Sequence, residues 1–251
     1  MEEQIKKFYK MISKEVYSEE DSLLHMKIIT HVAKDLFQRP DGPKKGQVLV
    51  DMGSGSGFML DQLVELGLDK KDLIAVTYSE DDFNTVKEKG YTAHNCDMSF
   101  TNFESNSIDW MIVRHCLEHS VWPYLTLLEF NRIMKMDSRV YIEMPAPEIT
   151  DRNLEHWPNH YSVMGKKQWG SLMLRAGFDY INGTYPLTFQ TNDKPDKNLN
   201  EPYDWYIMTK ILDRSDYEPA DAKFMQKVNS IILERQKNDN ASGTGTDNTQ
   251  S

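Results

Sequence analysis

The stretch VLVDMGSGSGFML, residues 48–60, joins a short apolar run to an acid and then to three glycines at alternate positions. The apolar run predicts a buried strand, and the apolar residues after the last glycine predict the start of a helix. A turn with so few side chains brings its main chain close to a neighbouring group or a ligand. Asp51, Gly53, Gly55 and Gly57 therefore define the first candidate binding site.

Short apolar strands and helices alternate along most of the chain. The predicted strands cover 47–51, 73–77, 91–95, 109–113, 139–143, 178–186 and 203–211, and the predicted helices cover 57–66, 80–89, 122–135, 166–176 and 221–236. This alternation predicts an α/β fold that is Rossmann-like and doubly wound, with a mostly parallel seven-stranded sheet and helices on both faces. Residues 1–46 are predicted to form an N-terminal helical lid, 47–236 the main domain, and 237–251 a disordered tail without apolar anchors.

Composition limits the classes of partner. The chain has 251 residues, is 39% hydrophobic and carries a formal net charge of −10, which disfavours a general nucleic-acid-binding surface. Cys96 and Cys116 form no CxxC motif, as expected for a reduced intracellular setting. No stretch approaches the roughly 20 apolar residues of a membrane helix, and the first residues lack a signal-peptide core. We therefore expect a cytoplasmic protein with no membrane partner.

The glycine spacing distinguishes between ligand classes. A triphosphate-binding loop ends in Gly-Lys-Ser/Thr, whereas Gly57 is followed by Phe58 and Met59. A dinucleotide-binding loop has the spacing G-x-G-x-x-G, whereas residues 53–57 read G-x-G-x-G. A carboxylate at position 51 is unfavourable beside a pyrophosphate and favourable beside an ammonium group. A dehydrogenase is therefore disfavoured, and a positively charged ligand is favoured.

The pattern D-x-G-x-G-x-G at residues 51–57 resembles the first motif of class I S-adenosylmethionine-dependent methyltransferases. The resemblance covers about residues 45–185: it continues in an S-x-D strand entry at 107–109, in LEH at 117–119, in an E-x-x-R-x-x-K helix and in a strand that ends at Pro145. It implies that 47–236 form a methyltransferase domain, which uses S-adenosylmethionine as cofactor and releases S-adenosylhomocysteine.

The resemblance also implies the cofactor-binding residues. Asp51 would position the amino group, Thr77 (where the family usually has Asp or Glu) would bond the ribose, and Asp97 with the next amide would bind the adenine edge. Tyr78 would pack on adenine, with burial in the core as the alternative, and the acids 80–82 are expected to open a helix rather than contact ligand. The implied set is Asp51, Gly53, Ser54, Gly55, Gly57, Thr77, Tyr78, Asp97, Met98 and Arg114.

The acceptor side is predicted from the chemistry of methyl transfer together with the resemblance. Transfer from a sulfonium is an in-line displacement, so the enzyme mainly aligns the acceptor atom with the methyl carbon. A hydroxyl or ammonium acceptor must lose a proton, and histidine is suited to accept it near neutral pH. His119, in the LEH segment, stands where relatives with this motif face the acceptor pocket, so the resemblance implies that it is the catalytic residue, with capping of or packing against the next helix as the alternative. The other residues predicted to bind the acceptor are His115, Glu118, His156, His160 and Tyr161. The last three lie in a segment that resembles the family's histidine-containing loop after the fifth strand, and packing between loop and sheet is their alternative role.

A divalent metal is a further alternative, because HCLEH places His115, Glu118 and His119 close in sequence. Some quinone-pathway O-methyltransferases hold a metal with E-x-x-E-H at this place. The first position is histidine in this chain, so we expect no metal here.

The predicted function is methyl transfer to an O or N atom of a small-molecule acceptor, because the acidic charge and the lack of an added recognition domain disfavour nucleic acid. Two alternatives remain open: a methyltransferase that acts on a nucleic acid or a protein, and a non-catalytic cofactor-binding protein of the same fold.

Overall fold

The computed structural model describes residues 2–14, 23–147, 159–185, 188–190, 198–200 and 203–241. Its strands, in chain order, are β1 (Leu49–Met52), β2 (Leu73–Thr77), β3 (Thr92–Asn95), β4 (Ile108–Arg114), β5 (Met134–Pro145), β6 (Phe178–Tyr185), β7 (Thr188–Gln190), β8 (Asn198–Asn200) and β9 (Tyr203–Lys210). Its helices are α1 (Glu2–Ile12), α2 (Leu23–Gln38), α3 (Phe58–Glu65), α4 (Glu80–Glu88), α5 (Pro123–Ile133), α6 (Lys166–Arg175) and α7 (Ala222–Ala241).

Seven strands form the central sheet, in the order β3-β2-β1-β4-β5-β9-β6. All are parallel except β9, which is antiparallel to both of its neighbours. The predicted seven-stranded, mostly parallel sheet is thus confirmed. The order reverses between β1 and β4, and open α/β sheets bind ligands in the crevice beyond the carboxyl ends of strands at such a reversal.

Helices cover both faces of the sheet, so its strands are apolar on both sides. On one face, Leu36 of α2 and Leu63 of α3 pack with Leu49 of β1 in one cluster of buried side chains. On the other face, Phe130 of α5 and Trp169 of α6 belong to a second cluster. Among the described residues, no helix combines the length and apolar character that crossing a membrane requires.

Three predicted boundaries need correction. Helix α7 continues beyond the predicted end at residue 236 to Ala241, because polar residues can extend a helix through its backbone hydrogen bonds. The first residues of the predicted tail are therefore helical. The interval between the strands predicted at 178–186 and 203–211 contains two further short strands, β7 and β8, which pair with each other. Strand β5 begins at Met134, earlier than predicted. Its first residues include the polar Lys135 and Asp137, which interrupt the apolar pattern from which the strand was predicted.

A fully buried lysine joins the end of α5 to β9. The Lys210 side chain is 0% exposed, and its Nζ donates to the backbone oxygens of Asn131 (2.7 Å) and Met134 (2.9 Å) and to Oδ1 of Asn106 (2.9 Å). These carbonyls lie at the end of α5, where a helix leaves its last oxygens without internal partners. Burial lowers the pKa of Lys210, and the carboxylate of Asp213 at 3.7 Å opposes that shift.

We expect Lys210→Met to lower the free energy of unfolding by about 2–4 kcal/mol, because it leaves buried acceptors without a donor. Urea denaturation followed by circular dichroism measures the difference. Lys71→Met, at an exposed position, is the control and should change stability by less than about 0.5 kcal/mol. Equal midpoints for the two variants would contradict this role of Lys210.

Candidate functional site

A cavity of about 220 Å³ opens at the carboxyl ends of β1, β2 and β4. Its walls come from the glycine turn, from the ends of these strands, from the turn after β4, from the segment near Asn159 and from Ile12 of α1. Six of the predicted cofactor residues line it: Gly53, Gly55, Thr77, Tyr78, Asp97 and Met98. Three of the predicted acceptor-side residues line it as well: His115, His119 and Tyr161. The sheet reversal therefore brings both predicted groups to one cavity.

The three glycines of the turn serve different purposes. A Cβ on Gly53 would lie 2.5 Å from the Cβ of Cys116, so this glycine lets the turn pass against the loop after β4. A Cβ on Gly57 would lie 2.8 Å from Cγ1 of Val86, so this glycine lets α3 begin against α4. A Cβ on Gly55 would meet nothing within 4 Å. Gly55 is thus the position where the main chain borders open space of the cavity.

Backbone hydrogen bonds hold the turn in place. The amides of Gly53 and Ser54 both donate to the carbonyl oxygen of Val76 at the end of β2, at 2.8 and 2.9 Å. The amide of Gly57 donates to the carbonyl oxygen of Ser54 at 2.9 Å. Ser54 is buried, and these contacts tie it to the turn itself. A contact between Ser54 and the cofactor stays a prediction.

The residues predicted for adenine and ribose lie together at one end of the cavity. The Tyr78 side chain is 40% exposed and lines the cavity, so the alternative of core packing is wrong. Oδ1 of Asp97 accepts a hydrogen bond from the amide of Ser99 at 2.7 Å, which fixes the carboxylate at the cavity wall. Oγ1 of Thr77 accepts a hydrogen bond from the amide of Ser79 at 3.3 Å.

Asp82 is a cavity residue that we did not expect from the sequence. Its amide donates to Oγ of Ser79, the N-cap of α4, at 3.3 Å, so Asp82 lies in the first turn of this helix as predicted. It is also buried, and together with Thr77 it lines the cavity. The S-x-x-D spacing signals only the helix start. The sequence gives no sign that this first turn of the helix borders the cavity.

Asp51 lies beneath the glycine turn rather than among the residues that line the cavity. It is 3% exposed and pairs with Ile112 of β4 in the sheet register. Arg114 lies two residues further along β4, on the same face of the sheet. Burial raises the pKa of Asp51 to about 7, although the Arg114 guanidinium opposes the shift.

Arg114 is bound to a buried carboxylate on the neighbouring strand. Its Nε and Nη2 donate to Oε1 of Glu143 on β5 at 3.1 and 2.5 Å, and the Tyr141 hydroxyl donates to Oε2 at 2.7 Å. Despite burial, the cations around Glu143 hold its pKa far below the usual range. The side chain of Arg114 thus positions Glu143, and its predicted contact with the cofactor stays a prediction.

His115 is held between two carboxylates. Its backbone φ of 47° turns the chain at the end of β4, so that Nε2 lies 3.0 Å from Oε1 of Glu143 and Nδ1 lies 3.5 Å from Oε1 of Glu118. The Tyr203 ring packs edge-on against it, with centroids 4.3 Å apart. Burial lowers the pKa of His115, but the two carboxylates outweigh it and raise the pKa to about 9. His115 is therefore a cation at neutral pH and a poor proton acceptor.

His119 is oriented by a backbone carbonyl. Its Nδ1 lies 3.0 Å from the carbonyl oxygen of Asn159. Because a carbonyl oxygen only accepts, Nδ1 carries the proton in this contact, and in the neutral ring Nε2 has the lone pair. The ring of His160 lies 4.8 Å away, centroid to centroid. The structure thus gathers His115, Glu118, His119, His160 and Tyr161, whereas His156 lies outside the described residues.

A group that could hold a metal ion occurs at the same end of the cavity. The ligand atoms of Glu118, His119 and His160 all lie within 4.8 Å of one another. The sequence had suggested His115 as the third ligand. In the structure both ring nitrogens of His115 face carboxylates, and His160 takes its place beside His119.

Residues 50–142 match the family model described as a methyltransferase domain. No curated protein sequence is significantly similar to the chain.

Solved structures share the fold. A chain from the complex of a Haloferax volcanii methyltransferase activator with a methyltransferase has a TM-score of 0.62 at 15% identity, covering 74% of this chain and 92% of its own. An Archaeoglobus fulgidus S-adenosylmethionine-dependent methyltransferase has a TM-score of 0.57 at 18% identity, covering 74% and 94%. A Haemonchus contortus phosphoethanolamine N-methyltransferase, in complex with phosphomonomethylethanolamine and S-adenosylhomocysteine, has a TM-score of 0.58 at 18% identity, covering 72% and 53%.

These structural likenesses establish the fold, and the family match adds the type of domain. Residues 50–142 therefore belong to a methyltransferase domain, in a chain whose fold is shared by solved S-adenosylmethionine-dependent methyltransferases.

Proposed function

We propose that this methyltransferase transfers the methyl group to an O or N atom of a small-molecule acceptor, and that the Nε2 lone pair of His119 activates the acceptor. The observation that carries the proposal is the shared cavity: residues expected to bind the cofactor and a histidine of fixed tautomer line the same space. A concave cavity of about 220 Å³ suits a small acceptor better than a folded macromolecule.

The lining residues support one orientation of the cofactor. The methionine part would lie over the main chain at Gly53 and Gly55, and adenine would lie beside Tyr78 and Asp97. The ribose hydroxyls would then meet the end of β2, where Asp82 supplies the buried carboxylate that Thr77 lacks. In this orientation the sulfur lies between the two ends of the cavity, and its methyl group points towards His119.

The two cavity histidines would act differently in the reaction. Both ring nitrogens of His115 are engaged by carboxylates, so His115 would form a fixed wall rather than exchange protons. The ring of His119 is oriented by a carbonyl through Nδ1, and the Nε2 side of the ring would act on the acceptor. The acceptor atom would attack the methyl carbon in line with the C–S bond, whose electrons return to sulfur.

The N-terminal helix would serve as a lid over the cofactor. Ile12 of α1 lines the cavity, and the Tyr9 ring packs edge-on against Phe100, with centroids 6.2 Å apart. These contacts place α1 beside the residues proposed for adenine. A lid of this kind excludes water from the reacting centre.

We expect Gly55→Ala to weaken S-adenosylhomocysteine binding by at least about tenfold, because its methyl group would enter the space proposed for the cofactor. The positive φ of 50° should cost only about 1 kcal/mol of stability. Gly46→Ala is the control, since Gly46 also has a positive φ and open space but is not among the cavity residues. Calorimetric titration should separate the two variants, and equal affinities would contradict this position of the cofactor.

Binding should also depend on pH through Asp51. The cofactor's ammonium group favours the carboxylate, whereas burial holds the pKa of Asp51 at about 7 in the free protein. A proton must therefore leave as the cofactor binds below that pH, and the dissociation constant should rise by up to about tenfold per pH unit as the pH falls below about 7.

Titration of S-adenosylhomocysteine between about pH 5.5 and about pH 8 measures this effect. Asp51→Asn should weaken binding at the upper end and remove the slope. A wild-type affinity that is flat across this range would exclude the coupling.

His119→Ala should lower kcat by about 10²–10⁴-fold, the usual contribution of a group that handles the acceptor's proton. Its affinity for S-adenosylhomocysteine should remain within about twofold. The assay is a screen of hydroxyl and amine acceptors with S-adenosylhomocysteine release as the readout. His31→Ala, at an exposed position on α2, is the control. Wild-type turnover in His119→Ala would refute the role of His119, and no turnover with any small acceptor would refute the proposed substrate class.

A further inference from the structure

We infer that Glu118, His119 and His160 bind a divalent transition-metal ion of the zinc class, which holds the acceptor heteroatom beside the methyl group. The inference rests on the proposed function and deepens it, because it names the ion through which the His119 lone pair acts. It also replaces the metal-free site that we expected from the sequence. The structural basis is a three-ligand cluster formed by two segments of the chain.

The spacing of the ligand atoms suits one ion. The carboxylate oxygen of Glu118 and the ring nitrogens of His119 and His160 lie within 4.8 Å of one another. Neighbouring ligands of a tetrahedral ion with bonds near 2.1 Å are about 3.4 Å apart. The cluster is thus wider than the bound arrangement by at most about 1.4 Å, which an ion would close by drawing its ligands inwards.

Glu118 supplies an unused buried oxygen. The residue is 2% exposed, and its Oε1 faces Nδ1 of His115 at 3.5 Å. Its Oε2 is buried and has no hydrogen-bond partner in the part of the chain that the structure describes. Leaving a carboxylate oxygen buried without a partner is costly, and a cation beside it removes that cost. Oε2 is therefore the atom that we assign to the ion.

His119 already has the orientation of a metal ligand. Histidine ligands usually donate from the other ring nitrogen to a carbonyl or carboxylate, which directs the lone pair towards the ion. Here Nδ1 bonds the carbonyl oxygen of Asn159, so Nε2 is the ligating atom. The amide of Ser162 donates to the carbonyl oxygen of Glu118 at 2.8 Å, which ties the segment carrying His160 to the turn carrying the other two ligands.

Two imidazoles and one carboxylate are a donor set that suits zinc and leaves a coordination position open. His119 lines the cavity, so that open position would face the acceptor. A hydroxyl bound there becomes more acidic, since the ion stabilises the oxyanion. Its proton leaves to water, the oxygen forms a bond to the methyl carbon, and the C–S bond breaks with its electron pair returning to sulfur.

The test is a titration of tag-free, chelator-treated protein with Co²⁺, followed by visible absorption and by displacement with Zn²⁺. We expect one Co²⁺ per chain, with the bands of a four- or five-coordinate site. His160→Gln and Glu118→Gln should each weaken binding by at least about 100-fold, because even outer partners of metal ligands contribute about 10–100-fold. His31→Gln, at an exposed position on α2, is the matched control and should bind as the wild type does.

Titration of each variant with S-adenosylhomocysteine verifies that its fold is intact. Absence of Co²⁺ binding, or equal binding by the control and both ligand variants, would overturn the metal site. Acceptor turnover that survives chelation would also overturn it, while leaving the proposed function standing. Conversely, Co²⁺ binding through these ligands without turnover of any small acceptor would support the metal site and count against the proposed function.

Discussion

The carboxylate of Glu143 is the contact on which the functional end of the sheet depends. It accepts hydrogen bonds from Arg114 and Tyr141, and it lies 3.0 Å from Nε2 of His115, so a single side chain of β5 fixes the chain as it leaves β4. Without this anion, Arg114 would lose the carboxylate that it binds and His115 would keep only Glu118 as a close countercharge, and breaking such largely buried pairs costs several kcal/mol. The turn that carries Glu118 and His119 begins directly after this anchored histidine.

The same cluster sets the charges around the cavity. Arg114 stands between Glu143 and Asp51, yet burial dominates at Asp51 and keeps its pKa near 7. A cation bound close to the Asp51 carboxyl group would favour its ionised form. His115 has the opposite behaviour, since two carboxylates raise its pKa to about 9 and keep it charged. Burial thus favours the neutral form of Asp51 beneath the glycine turn, whereas the neighbouring carboxylates favour the charged form of His115 at the cavity wall.

The sequence predicted the sheet, its strands and most of the cavity residues, because these depend on local patterns. Apolar runs, the glycine turn and the acids after strands each leave a signal within a few residues. Contacts between distant segments leave no such signal. The bond from His119 to Asn159 and the approach of His160 depend on how the segment after β5 folds back, and Asp82 reaches the cavity only through the geometry of the turn between β2 and α4.

The glycine turn illustrates both the value and the limit of the motif. Its pattern predicted residues that line the cavity, but of its three glycines only Gly55 would place a Cβ in open space, whereas a Cβ on Gly53 or Gly57 would clash with Cys116 or Val86. The most direct test of the account is a crystal structure of the protein with S-adenosylhomocysteine. We expect the amino acid part over Gly55, the adenine beside Tyr78 and Asp97, and the sulfur facing His119. A cofactor bound elsewhere, or a sulfur turned away from His119, would contradict the account.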